Sequence, residues 1–215
     1  MTLTPALLPK LIAAIAETLA NHADEVTELD QAIGDGDHLI NLQRGIKALT
    51  EKQHELTALD WPSAWQKIGM ILMSAIGGAS GSLYATLFLA LSKAAKDQAL
   101  NVQRFADSFN LAVEAVKQRG KAEAGEKTLL DVYIPVALYL NTAATSSIPL
   151  PEILNTVVTI AITGMEATRD MIATKGRASF LEQRSIGHID AGAKTAQLMI
   201  SAIVGVLVEE LSASV

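Results

Sequence analysis

Apolar side chains recur along this chain at the spacing of a single helix face. Leu7, Leu8, Leu11, Ile12, Ile15 and Leu19 make one stripe, and Phe105, Phe109, Ala112, Val113 and Val116 make another. Helical spacing also runs through 40–53, 63–75, 81–96, 129–144, 151–174 and 193–211, whereas strand-like alternation is nowhere sustained. The pattern predicts about eight helices and an all-α protein. No linker-like composition divides the 215 residues, so 1–215 is read as one domain.

Four connections between these helices carry glycine: 29–38, 77–82, 120–128 and 175–192. Those around Trp61-Pro62 and after Ser146 are ordinary proline or polar turns. If consecutive helices run antiparallel, alternate connections fall at the same end. The glycine-bearing ones follow helices one, three, five and seven, which places all of them at one rim. Polar loops gathered at one end of a helical protein make a site. The plainer alternative is that the glycines only end helices.

Composition narrows the picture. Hydrophobic residues make up 50% of the chain and aromatic ones only 4%, so Ala, Leu, Ile and Val fill the interior. A net charge of −6 removes the basic footprint that nucleic-acid binding needs, while leaving room for an anionic small molecule neutralised by divalent cations. The absence of cysteine rules out disulfides and thiolate metal sites and suits a cytoplasmic protein. The opening MTLTPALLPKLIAAIAETLA lacks the plan of a signal peptide and reads as an amphipathic helix. No charge occurs over 68–92, yet Gly77 to Ser82 interrupts that span with backbone that lipid cannot satisfy, so two buried helices are expected and no membrane partner.

The candidate chemistry lies in the glycine loops. LDQAIGDGDH, at 29–38, holds Asp30, Asp35 and Asp37 close together, where mutual repulsion makes hard divalent cations the natural partners. The spacing misses the calcium EF-hand, because position twelve counted from Asp35 is Ile46 instead of Glu; Mg²⁺ is the expected ion. A solvated turn with Asp37 as N-cap is the alternative. His38 and Asn41 fall where a helix N-terminus offers amides to an anion. Gly77-Gly78-Ala79-Ser80-Gly81 has the composition of a phosphate cradle, or of tight helix packing. The 120–128 loop imitates a Walker A motif but has Glu126 where its lysine belongs and no strand before it, so a P-loop is rejected. The last loop offers Arg177, Arg184 and His188 beside Asp190 and Gly192, for clamping phosphate or for ordinary ion pairs.

Four motifs, IGDGDH at 33–38, GGASG at 77–81, RGKAEAGEKTLLDV at 119–132 and KGRASFLEQRSIGHIDAGA at 175–193, stand in one order and cover nearly the whole chain. With them the sequence resembles the L subunit of dihydroxyacetone kinases, equivalent to the nucleotide-binding domain of the single-chain enzymes. The resemblance implies an eight-helix antiparallel up-and-down barrel with ADP or ATP at one rim. It implies that Asp30, Asp35 and Asp37 hold two Mg²⁺ on the nucleotide phosphates. Nucleotide contacts carry over onto His38, Leu39, Ile40, Asn41, Gly78, Ala79, Ser80, Gly120, Leu129, Arg177, Asp190, Ala191 and Gly192, with Leu129 near the base and Ser80 facing phosphate. Arg177 is the one candidate for a catalytic supplement. The implied partners are a K subunit that holds dihydroxyacetone covalently through a histidine and an M subunit whose phosphohistidine rephosphorylates ADP; a homodimer is also admitted.

The chain departs from that family in places. Leu39 and Ile40 follow His38 where Gly is usual, and are expected to crowd the phosphate approach. Leu42 stands for a common Met, Glu182 for a common Gly and Ala191 for a usual Pro. These changes leave room for another ketose or triose acceptor, or for a diverged paralogue. A non-catalytic nucleotide sensor docking on a regulator and a dinuclear Mg²⁺ hydrolase are the readings from other classes.

Overall fold

Local chemistry starts and stops the helices where side chains can satisfy their free ends. In the computed structural model, which describes residues 4–97 and 99–213, Asp60 accepts the amide of Ser63 (2.9 Å) ahead of a proline-bearing first turn. Asn101 accepts that of Arg104 (2.8 Å), and Asp190 that of Ala193 (2.7 Å). The resulting helices are α1 Leu8–Asn21, α2 Ala23–Ile33, α3 His38–Glu51, α4 Gln53–Thr57, α5 Trp61–Ala75, α6 Gly78–Ala95, α7 Val102–Gly120, α8 Leu130–Ala143, α9 Leu150–Ala167 and α10 Ala191–Ser212. Three 3₁₀ segments, Pro5–Leu7, Thr168–Asp170 and Arg177–Ser185, complete the regular structure, and no strand occurs among the described residues. The ends of the expected 1–215 domain, including the first three residues of the N-terminal stretch, lie outside the described residues.

Among the described residues ten α-helices replace the eight expected, because two further helices, α2 and α4, follow the first two expected stretches across short breaks. His22 (φ −113°, ψ 19°) divides α1 from α2, and Lys52 (φ −104°, ψ 3°) divides α3 from α4. The apolar period runs on through both breaks, which is why the pattern hides them. The stretch expected over 151–174 stops at Ala167. There the Thr168 hydroxyl donates to Met165 O (2.7 Å), the Thr168 carbonyl is taken by the ammonium of Lys127, and Met171 is extended.

The long helices pack in a chain of neighbours: α1 on α3, α3 on α5, then α5, α6, α7, α8, α9 and α10 in order, with α10 returning to α1. One apolar core joins them, with Leu19, Val26, Leu56, Val113, Val132 and Val136 essentially sealed from solvent. The uncharged span is broken as expected, Ile76 and Gly77 being extended between α5 and α6. Helix α10 is long and apolar enough to cross a membrane, yet here it packs against α1, α2, α8 and α9.

Pro135 sits inside α8 and cannot donate to the carbonyl of Asp131, four residues back. Gly164 of α9 approaches that carbonyl so closely that a Cβ would lie 2.2 Å from the oxygen. A second, smaller cluster of Ile33, Ala173 and Ala178, with Leu181 against it, pins the segment after α9 to the end of α2. This contact carries the last glycine loop over the first.

Candidate functional site

Asp30 lies in the final turn of α2 with its side chain buried, at 9% exposure. Its Oδ2 accepts the backbone N–H of His38 (3.0 Å), the first residue of α3, and its carbonyl accepts that of Gly34 (2.6 Å). The loop between them therefore folds back across Asp30. Gly34 is obligatory there: a Cβ would lie 2.0 Å from Asp30 Oδ1. Gly36 takes a left-handed turn at φ +77°. One carboxylate oxygen each from Asp30, Asp35 and Asp37 comes within 4.8 Å of the others, with Asp35 and Asp37 exposed. Asp37 does not cap α3 with its side chain; Asp30 accepts the amide instead, eight residues away.

Three hard oxygen donors converging on one point, one buried and two open to solvent, fit Mg²⁺, which takes a few carboxylates and keeps its other positions for water or phosphate. The cramped Gly34 supports that fit, since it aims the Asp30 carboxylate into the group.

His38 ties this loop to two others. Its Nε2 lies 2.9 Å from Thr195 Oγ1 in α10, and its Nδ1 3.2 Å from Ser80 Oγ in α6. Thr195 Oγ1 also lies 3.1 Å from Gly192 O, so the hydroxyl that meets Nε2 is itself tied to the first turn of α10. Burial pushes the His38 pKa below the ordinary histidine value, against a smaller upward pull from Asp30 and Asp37. The neutral ring is the form that this network uses. Ser80, expected to face phosphate, stands with its hydroxyl beside His38.

The other expected residues divide by depth. Leu39 is a core residue at 6% exposure, so its side chain does not crowd the rim, contrary to the expectation; Ile40 is the exposed one of the pair. Asn41 is buried, with Oδ1 accepting from Arg44 Nη1 (3.2 Å) beside Gly77. Gly78, at φ +67°, opens α6, and Ala79 is exposed beside it. Leu129 and Ala191 are buried, and Leu129 lies against Gly192 at 3.8 Å from where a Cβ would stand. Gly120, in the last turn of α7, faces Leu83 of α6, one turn beyond Ser80. Arg177 is largely exposed and its Nε donates to Asp35 Oδ2 (3.0 Å). Arg184 and His188 are exposed farther along the same segment. Burial pushes the Asp190 carboxyl up to about 6, the Ala193 amide and Lys127 only partly offsetting it.

The four glycine loops are therefore linked by contacts, although in the structure they follow α2, α5, α7 and α9, because α2 and α4 are helices that the expected alternation does not count. Sequence reasoning missed Thr195, Thr168 and Lys127. The first two are plain threonines in sequence, and Lys127 stood inside a motif rejected for its Glu126.

An all-helical protein with converging carboxylates and amide-rich helix starts at one rim is of the kind that holds a metal-complexed anion. Residues 32–205 match the DAK2 domain, and the chain belongs to that family. It is 37% identical over 187 residues, 87% of this chain and 89% of the relative, to "PEP-dependent dihydroxyacetone kinase 1, ADP-binding subunit DhaL" of Listeria innocua. It is 34% identical over 201 residues, 93% of this chain and 96% of the relative, to the PEP-dependent dihydroxyacetone kinase ADP-binding subunit of Escherichia coli. The fold matches the crystal structure of the dihydroxyacetone kinase of C. freundii in complex with AMP-PNP and Mg²⁺, with a TM-score of 0.74 at 22% identity. That match covers 95% of this chain and about a third (34%) of the longer enzyme.

Proposed function

We propose that this chain is the ADP-binding subunit of a phosphoenolpyruvate-dependent dihydroxyacetone kinase, with Asp30, Asp35 and Asp37 holding two Mg²⁺ on the nucleotide phosphates. The observation that carries the reading is the meeting of the three carboxylate oxygens within 4.8 Å, beside the starts of α3 and α6. The relatives aligned over nearly their whole length are themselves named ADP-binding subunits, which favours a kinase role over a nucleotide sensor.

Phosphoryl transfer needs alignment and charge neutralisation more than a protein nucleophile. When bound, the metal ions supply the positive charge that an acidic rim lacks. The amide of His38 is taken by Asp30 and that of Asn41 by the Asp37 carbonyl, so the amides that would receive phosphate oxygens are those of Leu39 and Ile40 in α3 and of Gly78 to Ser80 in α6. The His38 ring fixes where those helix starts stand relative to α10. Leu129, Gly120 and Asp190 to Gly192 form the wall toward the base. Arg177 leaves Asp35 for a phosphate oxygen, adding donors where negative charge spreads. No side chain here is assigned as general base; the acceptor hydroxyl and its proton belong to a K subunit that holds dihydroxyacetone. An M subunit phosphohistidine then returns a phosphoryl group to the retained ADP.

The test mixes purified chain, Mg²⁺, ATP, dihydroxyacetone and a K-type subunit and follows sugar phosphate. Product that depends on both proteins is expected. Bound nucleotide without product, in the presence of a competent partner, would refute the kinase role.

A further inference from the structure

The loop between α7 and α8 contains a lysine that none of these roles employs. Lys127 is 1% exposed, and its backbone is left-handed (φ 60°), a conformation that residues with a Cβ avoid. Its ammonium donates to the carbonyls of Thr168 and His188, which stand at opposite ends of the long segment between α9 and α10. Asp190, Asp170 and Asp131 lie within electrostatic reach and favour the charge, Arg169 opposes it, and burial weighs most heavily against it. Further bonds close the same base: Gly187 N donates to Arg169 O (2.8 Å) and Asp190 N to the Thr168 hydroxyl (3.1 Å). The preceding residue clasps the middle of the segment, Glu126 accepting from the Thr174 hydroxyl (2.9 Å) and pairing with Lys175 (3.3 Å). The loop that carries both grips is itself held by Asp131, which accepts from the amides of Gly125 and Thr128.

We propose that Lys127 is a positioning residue whose buried ammonium ties the two ends of the 168–190 segment together, and so sets where Arg177 and Asp190 stand over the carboxylate group. A polar chain of this length, ordered internally only by two 3₁₀ pieces, has many shapes; two bonds from one cation at its base remove most of them. Lysine suits the task because three donors on one nitrogen satisfy two carbonyls that approach from different sides. The consequence for nucleotide rests on the proposed function, whereas the bracing does not.

The experiment uses the full chain with Lys127→Met, which keeps the length and removes the donors. Amide hydrogen exchange over 169–188 is expected to accelerate at least tenfold with α5 and α6 unchanged. Mn²⁺ binding measured by electron paramagnetic resonance should not weaken, while retention of ADP with Mg²⁺ should fall about tenfold. Lys127→Arg, which keeps charge and donors, should bring exchange back to within threefold of the parent. Should the methionine chain not fold, Lys127→Gln carries the same expectation for exchange. Unchanged exchange over 169–188, acceleration spread evenly over all helices, or an arginine chain as exposed as the methionine one would each overturn the proposal. A parent chain that never retains ADP would refute the proposed function and leave the exchange result to decide the role of Lys127.

Discussion

Gly34→Ala tests whether the aim of the Asp30 carboxylate matters. A methyl group at this position would meet Asp30 Oδ1 at 2.0 Å and Asp30 O at 2.7 Å, so the side chain must leave its present rotamer. Leaving breaks the bond from the His38 amide to a charged acceptor, about 1.5–3 kcal/mol, and an off-rotamer compromise adds about 0.5–1.5 kcal/mol. The broken bond lowers stability with and without ligand, whereas an ion that needs Asp30 in its present place meets the off-rotamer cost, about 0.5–1.5 kcal/mol, a loss of at least about two- to tenfold in affinity. The assay is calorimetric titration of Mg²⁺ with ADP, with circular dichroism for helix content. Gly36→Ala is the control. Its φ of +77° makes any side chain strained, but a Cβ there meets only Gln31 Cγ, at 3.4 Å. That strain is present with and without ligand and cancels from affinity. Equal affinity in the Gly34→Ala and parent chains, or equal losses in the two variants, would refute the argument.

Asp35→Ala is expected to abolish Mg²⁺-dependent nucleotide retention with helix content intact, checked by gel filtration with bound ADP; unaltered retention would count against the metal assignment. Gly164→Ala drives a methyl against the Asp131 carbonyl at 2.2 Å, an overpacking of about 1–3 kcal/mol that should lower Tm by roughly 2–12 °C. Asp190→Asn keeps an acceptor for the Ala193 amide and removes a charge whose pKa is raised from 3.8 to about 6. The parent's contribution from Asp190 is complete below pH 3.8 and lost as pH rises through about 6. Without ligand, the asparagine chain should therefore match the parent near pH 4 and exceed it above pH 6 by up to about 3 kcal/mol. His38 acts with the opposite sign, its contribution disappearing as pH falls through its lowered value, and it cancels from the difference between the two chains. A difference in Tm that is flat with pH would contradict the assignment for Asp190.

What the sequence reveals depends on how far apart the interacting residues lie. Stripes such as Leu8, Ile12 and Leu19 are legible because burial repeats with the helix period, and these residues are core in the structure. The breaks at His22 and Lys52 are not, since a short turn can change direction while keeping the period. Nor is the stop at Ala167, which depends on Lys127, 41 residues away from Thr168. The aspartates show themselves because like charges crowd one glycine loop. Thr195 stays hidden because its partner His38 is 157 residues distant. Leu39 illustrates the remaining failure: a residue next to a site is judged by its side of the helix, and this one faces the core.

A single imidazole joins the beginnings of α3, α6 and α10, acting as a keystone for the crown of the molecule. Withdrawal of the ring with the start of α3 releases α6 and α10 together, whereas loosening α6 or α10 alone breaks one bond and leaves the other.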